Sequence, residues 1–425
     1  MKQLKKLPPL PIREITTLAL PKYCLHRLDN GIPVYEVCAG TQDIIKLEIT
    51  FRAGRPFEQK HLASRATARL LREGTKHRQS ADIAEAFDFY GTSLVTTTNL
   101  DTSSIIFSCL KKHFHLLLPI VAEIIFEPTF PEQELQTFIN NNKQRLQVDL
   151  QKSDAVAYRK ITALIFGENH PYGYNSTADT YNALTQNDLI THWNNTYAAD
   201  NCQIFIAGRT DETILTSLNT YFGQFRKQAT NFAPPIIGST EKPHKMLIKN
   251  NADSVQAAIR IGRHLFNRQH PNYKKMYVLN TVLGGYFSSR LMSNIREAKG
   301  FTYNIYSMLD PMLFDGYFYI GAEVSHKFVS SAIKEIHKEI KKLQTELIGA
   351  DELMMVRNYL MGGLLAMIDG PFNTIDVIRT LATEDIPLTH YEDTARVIRS
   401  ITTEDLLEMA RLYLNKDDLW EVIAK

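Results

Sequence analysis

The chain has little cysteine, no long apolar run and no charge excess, and each shortage removes a class of function. Four cysteines in 425 residues (Cys24, Cys38, Cys109 and Cys202) are scattered, without CxxC spacing or a Cys/His cluster. Neither a disulfide scaffold nor a zinc ribbon is expected; reduced thiols in a cytoplasmic protein are. The longest apolar run, Leu116–Phe126, is interrupted by Glu123 and is too short to cross a bilayer. Met1–Leu18 carries early lysines but lacks the apolar stretch of a signal peptide. With 48 basic against 46 acidic residues the formal charge is +2, which offers little to nucleic acid or an anionic membrane. GxSxG, GxxxxGKS/T and GxGxxG contexts are missing, so no nucleophile elbow and no phosphate loop is read.

What the chain does contain is an internal duplication. Leu184–Leu189 falls on Ile401–Leu406, and Ile204–Ala207 on Glu421–Ala424, at an offset of 217; Pro131–Leu135 falls on Gly349–Leu353 at 218. Matches in one order at one offset argue for two similar domains, and the chain is long enough for two cores of about 210 residues each. The first is placed at 1–225 and the second at 246–425. Between them, 226–245 has linker composition around Ala233-Pro234-Pro235, Gly238 and Pro243.

Periodicity supplies the elements. Tyr23–Val37 reads as a hairpin about Asp29-Asn30-Gly31. Ile45, Leu47, Ile49 and Phe51 alternate as a half-buried strand, with further strands at Ser93–Thr98, Ser103–Leu110 and Gln203–Ala207. Helices are expected at Ala63–Arg72, Ala81–Tyr90, Phe114–Ile125, Glu132–Leu150, Ala155–Phe166 and Asp188–Tyr197. In the second half Val329, Ile333, Ile336, Ile340, Leu343 and Leu347 define one more, across Lys327–Leu347. The expected fold is α+β: two homologous domains, each a largely antiparallel sheet with helices packed on one face.

Leu283–Ser307 carries the most chemistry. Gly284 and Gly285 are read as opening a helix with Leu291, Ile295 and Ala298 on one face. Gly300 ends it, and Tyr303, Ile305 and Ser307 continue as a strand. Arg296 and Tyr303 can then meet over a sheet edge, where both are donors suited to a carbonyl oxygen or a developing oxyanion.

These residues resemble the C-terminal half of the pitrilysin-type (inverzincin) metallopeptidases, the family of the mitochondrial processing peptidase. The similarity rests on Ser289-Arg290-Leu291, Ile295-Arg296-Glu297 and the Arg296/Tyr303 spacing. In the first half it rests on Asp29-Asn30-Gly31, Phe51-Arg52-Ala53-Gly54, Leu70–Thr75 and His170-Pro171-Tyr172-Gly173. The resemblance implies a clam-shell peptidase whose active members carry His-x-x-Glu-His before the Leu70–Thr75 run, with a third ligand, a glutamate, some 75 residues on. This chain departs from that pattern: Arg65 and Arg69 stand at the histidine positions and Ala68 at the general base. The window for the third ligand, Arg145–Leu150, holds no glutamate and only Asp149. Arginine has no lone pair to offer, so no metal and no cofactor is expected here. Zinc is expected instead in a partner subunit with His-x-x-Glu-His. The resemblance implies that Arg296 and Tyr303 serve that partner in trans, binding peptide or unfolded protein and stabilising the oxyanion. The alternative is a structural or peptide-binding scaffold with no peptidase role.

Other polar residues read as structural. His113 and His115 follow Lys111 and Lys112 at a helix start and suit a surface role. His170 suits loop ordering before Pro171, and His26 and the remaining histidines lack i,i+4 pairing or a nearby cysteine. Asp101 has no sequence partner for acid–base work.

Overall fold

The computed structural model describes residue 15 and residues 18–225, 228–230, 242–250 and 254–425. Most of the linker predicted at 226–245, and nearly all of Met1–Leu18, lie outside the described residues. In the first half the strands are β1 (Cys24–Arg27), β2 (Pro33–Cys38), β3 (Ile44–Phe51), β4 (Ser93–Thr98), β5 (Ser103–Leu110) and β6 (Cys202–Gly208). Its helices are α1 (Ala63–Leu70), α2 (Ser80–Phe89), α3 (Phe114–Phe126), α4 (Glu132–Asp149), α5 (Ser153–Phe166), α6 (Ala178–Asn182), α7 (Gln186–Thr196) and α8 (Glu212–Phe222). The second half has β7 (Lys245–Ile248), β8 (Gln256–Leu265), β9 (Thr302–Pro311), β10 (Gly316–Ser325) and β11 (Trp420–Ala424). With them go α9 (Tyr273–Asn280), α10 (Val329–Thr345), α11 (Ala350–Met367), α12 (Gly370–Thr383), α13 (His390–Ser400) and α14 (Thr403–Tyr413).

The hairpin forms as the turn residues dictate, with Cys24 opposite Glu36 and Arg27 opposite Pro33. The first sheet has the order β1-β2-β6-β3-β5-β4 and the second β7-β11-β8-β10-β9. Once β1 is set aside the two orders are the same. Each has a single parallel pair, β2 with β6 and β7 with β11, the rest being antiparallel. The duplication extends to the caps. Thr185 and Asp188 close a capping box on α7, and Thr402 and Asp405 repeat it on α14, 217 residues later. β4 and β9 are the corresponding edge strands, each paired on one side only among the described residues.

The α+β fold is as expected, two homologous domains, each a largely antiparallel sheet with helices of its own half packed on one face. The second face is covered by a helix from the other half. Ala157, Ile161, Leu164 and Ile165 of α5 pack on the second sheet against Ala258, Tyr317, Tyr319 and Val422. Reciprocally, Ile375, Ile378 and Ala382 of α12 pack on the first sheet against Val37, Phe205 and Ala207. The polar face of β3 is therefore buried too, Glu48 at 4% and Thr50 at 1% exposure, and β3 is not the half-buried strand its alternation suggested. Polar ties follow the same crossings: Lys46 Nζ to Asp376 (2.7 Å), Arg379 Nε to Glu48 (3.2 Å) and Arg52 Nη2 to Asp385 (2.6 Å). Asp101, without a partner in the sequence reading, accepts from the Tyr172 hydroxyl and from the Leu313 amide at 3.0 Å, a tie between halves.

Arg260 on β8 is 2% exposed, and its guanidinium meets the Asp154 carboxylate of α5. A buried guanidinium stripped of its counter-charge is costly. Asp154→Ala should lower unfolding stability in urea by about 1–3 kcal/mol, reduced because Asp154 is itself half exposed. An unchanged denaturation midpoint would show that α5 is held by its apolar contacts alone.

Glu384, just after α12, lies 3.3 Å from Arg268 Nε. Burial still pushes its carboxyl from the ordinary 4.5 up to about 7; Arg268 pulls downward, and the nearby Asp101 charge adds to the rise. The raised value means that the fold favours the neutral acid. That stability is fully present below pH 4.5 and is lost as the pH climbs towards 7, by about 3 kcal/mol in total. Glu384→Gln should abolish this decline, so that its melting temperature gains on wild type between pH 5 and 7.5. Parallel pH profiles for the two proteins would contradict the assignment.

Candidate functional site: an arginine-lined cleft and an exposed Arg/Tyr pair

The helix at the position of the family's zinc motif is set by its N-terminus. Leu62 turns into it with a left-handed φ of 72°, and the Glu58 carboxylate receives the Ser64 amide at 3.0 Å and the Ser64 hydroxyl at 2.7 Å. A carboxylate there complements the N-terminal end of the helix dipole. The Tyr174 hydroxyl donates to the same carboxylate, which ties α1 to the loop that follows His170. His170 orders that loop as read, stacked on Phe166 with its Nδ1 accepting the Tyr172 amide at 3.1 Å. Ala66, Thr67, Ala68 and Leu70 are buried, so Arg65 and Arg69 fall on the outer face.

That outer face is more than a solvated surface. Arg65, Ala68 and Arg69 line a cavity of about 550 Å³ together with β4 and α4. The α4 residues in its wall are Glu134, Thr137, Phe138, Asn141, Asn142 and Arg145, spaced as one helix face. Arg65 Nη2 donates to Asn142 Oδ1 at 3.1 Å. Of the window expected to hold the third ligand, only Arg145 reaches the cavity. Asp149 instead faces Lys152 at 2.8 Å and Arg145 at 3.8 Å. Lys152, first among its causes, holds the Asp149 carboxyl below its ordinary value.

These residues do not fit a zinc ion. Three guanidinium groups, one alanine and an asparagine supply no anionic or imidazole donor where the metal would sit. Glu73 and Glu134 line the same cavity and went unread in the sequence, but Glu73 is engaged by Ser80 and lies 3.6 Å from Arg72. One cluster the sequence reading denied does exist. Cys24, His26 and Glu36 place their ligand atoms within 4.8 Å of one another on the first hairpin. Its signal was Cys-x-His on a strand, with Glu36 opposite Cys24 across the turn. His26 Nε2 and Glu36 are already hydrogen-bonded at 2.7 Å.

Arg296 and Tyr303 do not reach that cavity, whose wall is built from the first half alone. Gly284 and Gly285 close a π-turn (Thr281–Gly285) that continues α9; they do not open the next helix, which starts at Arg290. Gly284 is needed there because a Cβ would stand 2.4 Å from the Ser307 amide nitrogen. Arg296 lies in a second π-helical stretch, Met292–Ala298, where Lys299 N bonds Asn294 O at 3.0 Å; Ala298 faces solvent instead of the core. Such turns recur at functional sites. Tyr303 sits in a β-bulge. Thr302 opposes Val324 and Ile305 opposes Ala322, so two residues of β9 share one position of β10. The bulge turns the Tyr303 ring outward, to 88% exposure. The Arg296 guanidinium lies over the Phe287 ring at 4.7 Å. No hydrogen bond joins Arg296 to Tyr303 among the described residues, so the pair is not a structural clasp between helix and strand.

Residues 41–173 match the family described as Insulinase (Peptidase family M16), and residues 183–360 match its companion, the Peptidase M16 inactive domain. The chain belongs to peptidase family M16. Among the relatives of this M16 chain is the uncharacterized zinc protease YmxG of Bacillus subtilis, 24% identical over 70% of this chain and 72% of that protein. The fold is shared with the peptidase M16 inactive domain of Pseudomonas fluorescens (TM-score 0.87, 22% identity, covering 95% and 98% of the two chains). It is shared equally with a protease from Helicobacter pylori (TM-score 0.87, 16% identity, covering 96% and 100%). No described helix of this M16 chain is long and apolar enough to cross a membrane.

For this M16 chain, zinc at 100 times a micromolar Kd should leave the melting temperature unchanged, where an occupied site would add about 2.7 kcal/mol. A rise lost in Glu73→Gln/Glu134→Gln would overturn the exclusion of zinc from the cleft. A rise lost only in Cys24→Ser would place the metal on the hairpin.

Proposed function

We propose that the chain is the zinc-less subunit of an M16-type heterodimeric peptidase, pairing with a homologous subunit that carries His-x-x-Glu-His. The observation that carries this reading is the state of Arg296 and Tyr303. Tyr303, at 88% exposure on a bulge, and Arg296, whose guanidinium lies over the Phe287 ring, have no side-chain hydrogen bond or ion pair among the described residues. In the same chain the counterpart metal position is filled by arginines. Water activation falls to the partner's zinc. Arg296 and Tyr303 donate to the substrate carbonyl as it becomes an oxyanion, a role in which preorganised donors count most. The open edges of β4 and β9 suit binding of an extended peptide by strand addition. An apolar helix face supports association: Met354, Met355, Tyr359, Leu365 and Met367 of α11 are all about half exposed, around Gly362 and Gly363. The unpaired thiols of Cys24, Cys38, Cys109 and Cys202 suit a reducing, cytoplasmic setting.

Tyr303→Phe removes one hydroxyl from an exposed ring and should leave folding and assembly intact. Peptide turnover by the reconstituted heterodimer should drop by about 10²–10³-fold in kcat with little change in KM. Unchanged turnover would sink the role in trans and favour a structural subunit.

A further inference from the structure

The cleft that excludes zinc has the chemistry to hold an anion. Arg65 spends its guanidinium on neutral acceptors, Asn142 Oδ1 at 3.1 Å and the Tyr181 hydroxyl at 3.5 Å. Arg69 has no carboxylate partner among the described residues. Arg145 has only a 3.8 Å contact with Asp149, on the exposed side of α4, where such pairs are weak. Three guanidinium groups thus face one cavity with donors to spare.

The two glutamates in the wall do not neutralise them. α1 and α4 run antiparallel: Arg65 meets Asn142, while a Cβ on Gly74 would lie 2.9 Å from Pro131, just before α4. Glu73 and Glu134 therefore stand at one end of the cleft, and Arg65, Asn142 and Arg145 at the other. Eleven residues of α4 separate Glu134 from Arg145, about 16 Å along the axis. The third wall is β4. Thr96 and Thr98 lie on its cavity side, and the Thr96 hydroxyl is buried (the residue is 7% exposed) with no hydrogen-bond partner. A buried hydroxyl in the wall of a polar cavity, unpaired among the described residues, is free to hydrogen-bond a ligand atom.

From this arrangement we infer that the cleft is a carboxylate-binding site, in which Arg65, Arg69 and Arg145 hold an acidic group of a peptide lying along β4. The inference rests on the peptide-binding part of the proposed function. A strand added to β4 presents every second side chain to the face that carries Thr96 and Thr98, so an acidic side chain reaches the arginines from there. A C-terminal carboxylate entering the cleft offers the same chemistry. The planar fork of arginine matches either one.

The test is fluorescence anisotropy of the full-length chain with fluorescein-labelled decapeptides. They differ only in a central Glu or Gln and in a free or amidated C-terminus. The carboxylate-bearing peptides should bind about 10-fold more tightly than the peptide lacking both groups, a preference that fades with salt. Arg65→Gln/Arg69→Gln, both exposed positions, should bring the peptides to parity while retaining the wild-type melting curve. Dependence on the central residue assigns an acidic side chain, and dependence on amidation assigns the C-terminus. Equal binding of all four peptides would overturn the carboxylate inference and leave peptide binding standing. Absence of binding by any of them would overturn both.

Discussion

The structure depends on a reciprocal exchange of helices. α5 leaves the first half to cover the second sheet, and α12 returns to cover the first. Neither sheet has a complete core without the other half, because each would otherwise expose the apolar face that the other half's helix covers. The charges follow that constraint: Arg260 can be buried because α5 delivers Asp154, and Glu48 can be buried because α12 delivers Arg379. The two sheets are thereby locked as one body. That body holds the first-half cleft and the second-half Arg296/Tyr303 pair in fixed positions on its surface, which a pair of loosely tethered domains could not do.

On the proposed reading, the site is a division of labour produced by changed charge. At the zinc position the helix still turns where it should, anchored by Glu58 and Tyr174, yet it presents guanidinium groups in place of imidazoles. On that reading the same wall that would repel a dication attracts an anion. At the Arg296/Tyr303 position nothing is reversed. Two π-helical stretches and a bulge, each a departure from regular geometry, hold the pair outward. Departures of this kind persist where the surrounding packing enforces them, and here Leu291, Ile295 and Ile305 are fully buried beneath the pair.

Much of this was legible in the sequence, for physical reasons that differ by element. Strands β4 and β5 were readable because alternation is a local signal, and Thr185 and Thr402 were met only as matched positions of the duplication, their capping boxes going unread. The shared outer face of Arg65 and Arg69 was readable because they stand four residues apart on a helix. Residues that meet only through tertiary structure were not. Ile375, Ile378 and Ala382 mark an apolar helix face but do not say which sheet it covers. Gly284-Gly285 looks like a helix start, since a π-turn leaves no periodicity to read. The bulge at Tyr303 is invisible without the register of β10. Cys24, His26 and Glu36 came together through a cross-strand pairing that only the register reveals, and the wall supplied by Asn142 and Thr96 needed the packing of α4 and β4 on α1.

The most direct test of the account is the composition of the native assembly. Purification of the chain from its source under gentle conditions, followed by native mass spectrometry, measures what it pairs with and in what ratio. The account predicts one homologous chain of similar size at one-to-one stoichiometry, carrying His-x-x-Glu-His and one zinc. A homodimer, or an assembly in which no subunit carries that motif, would contradict it.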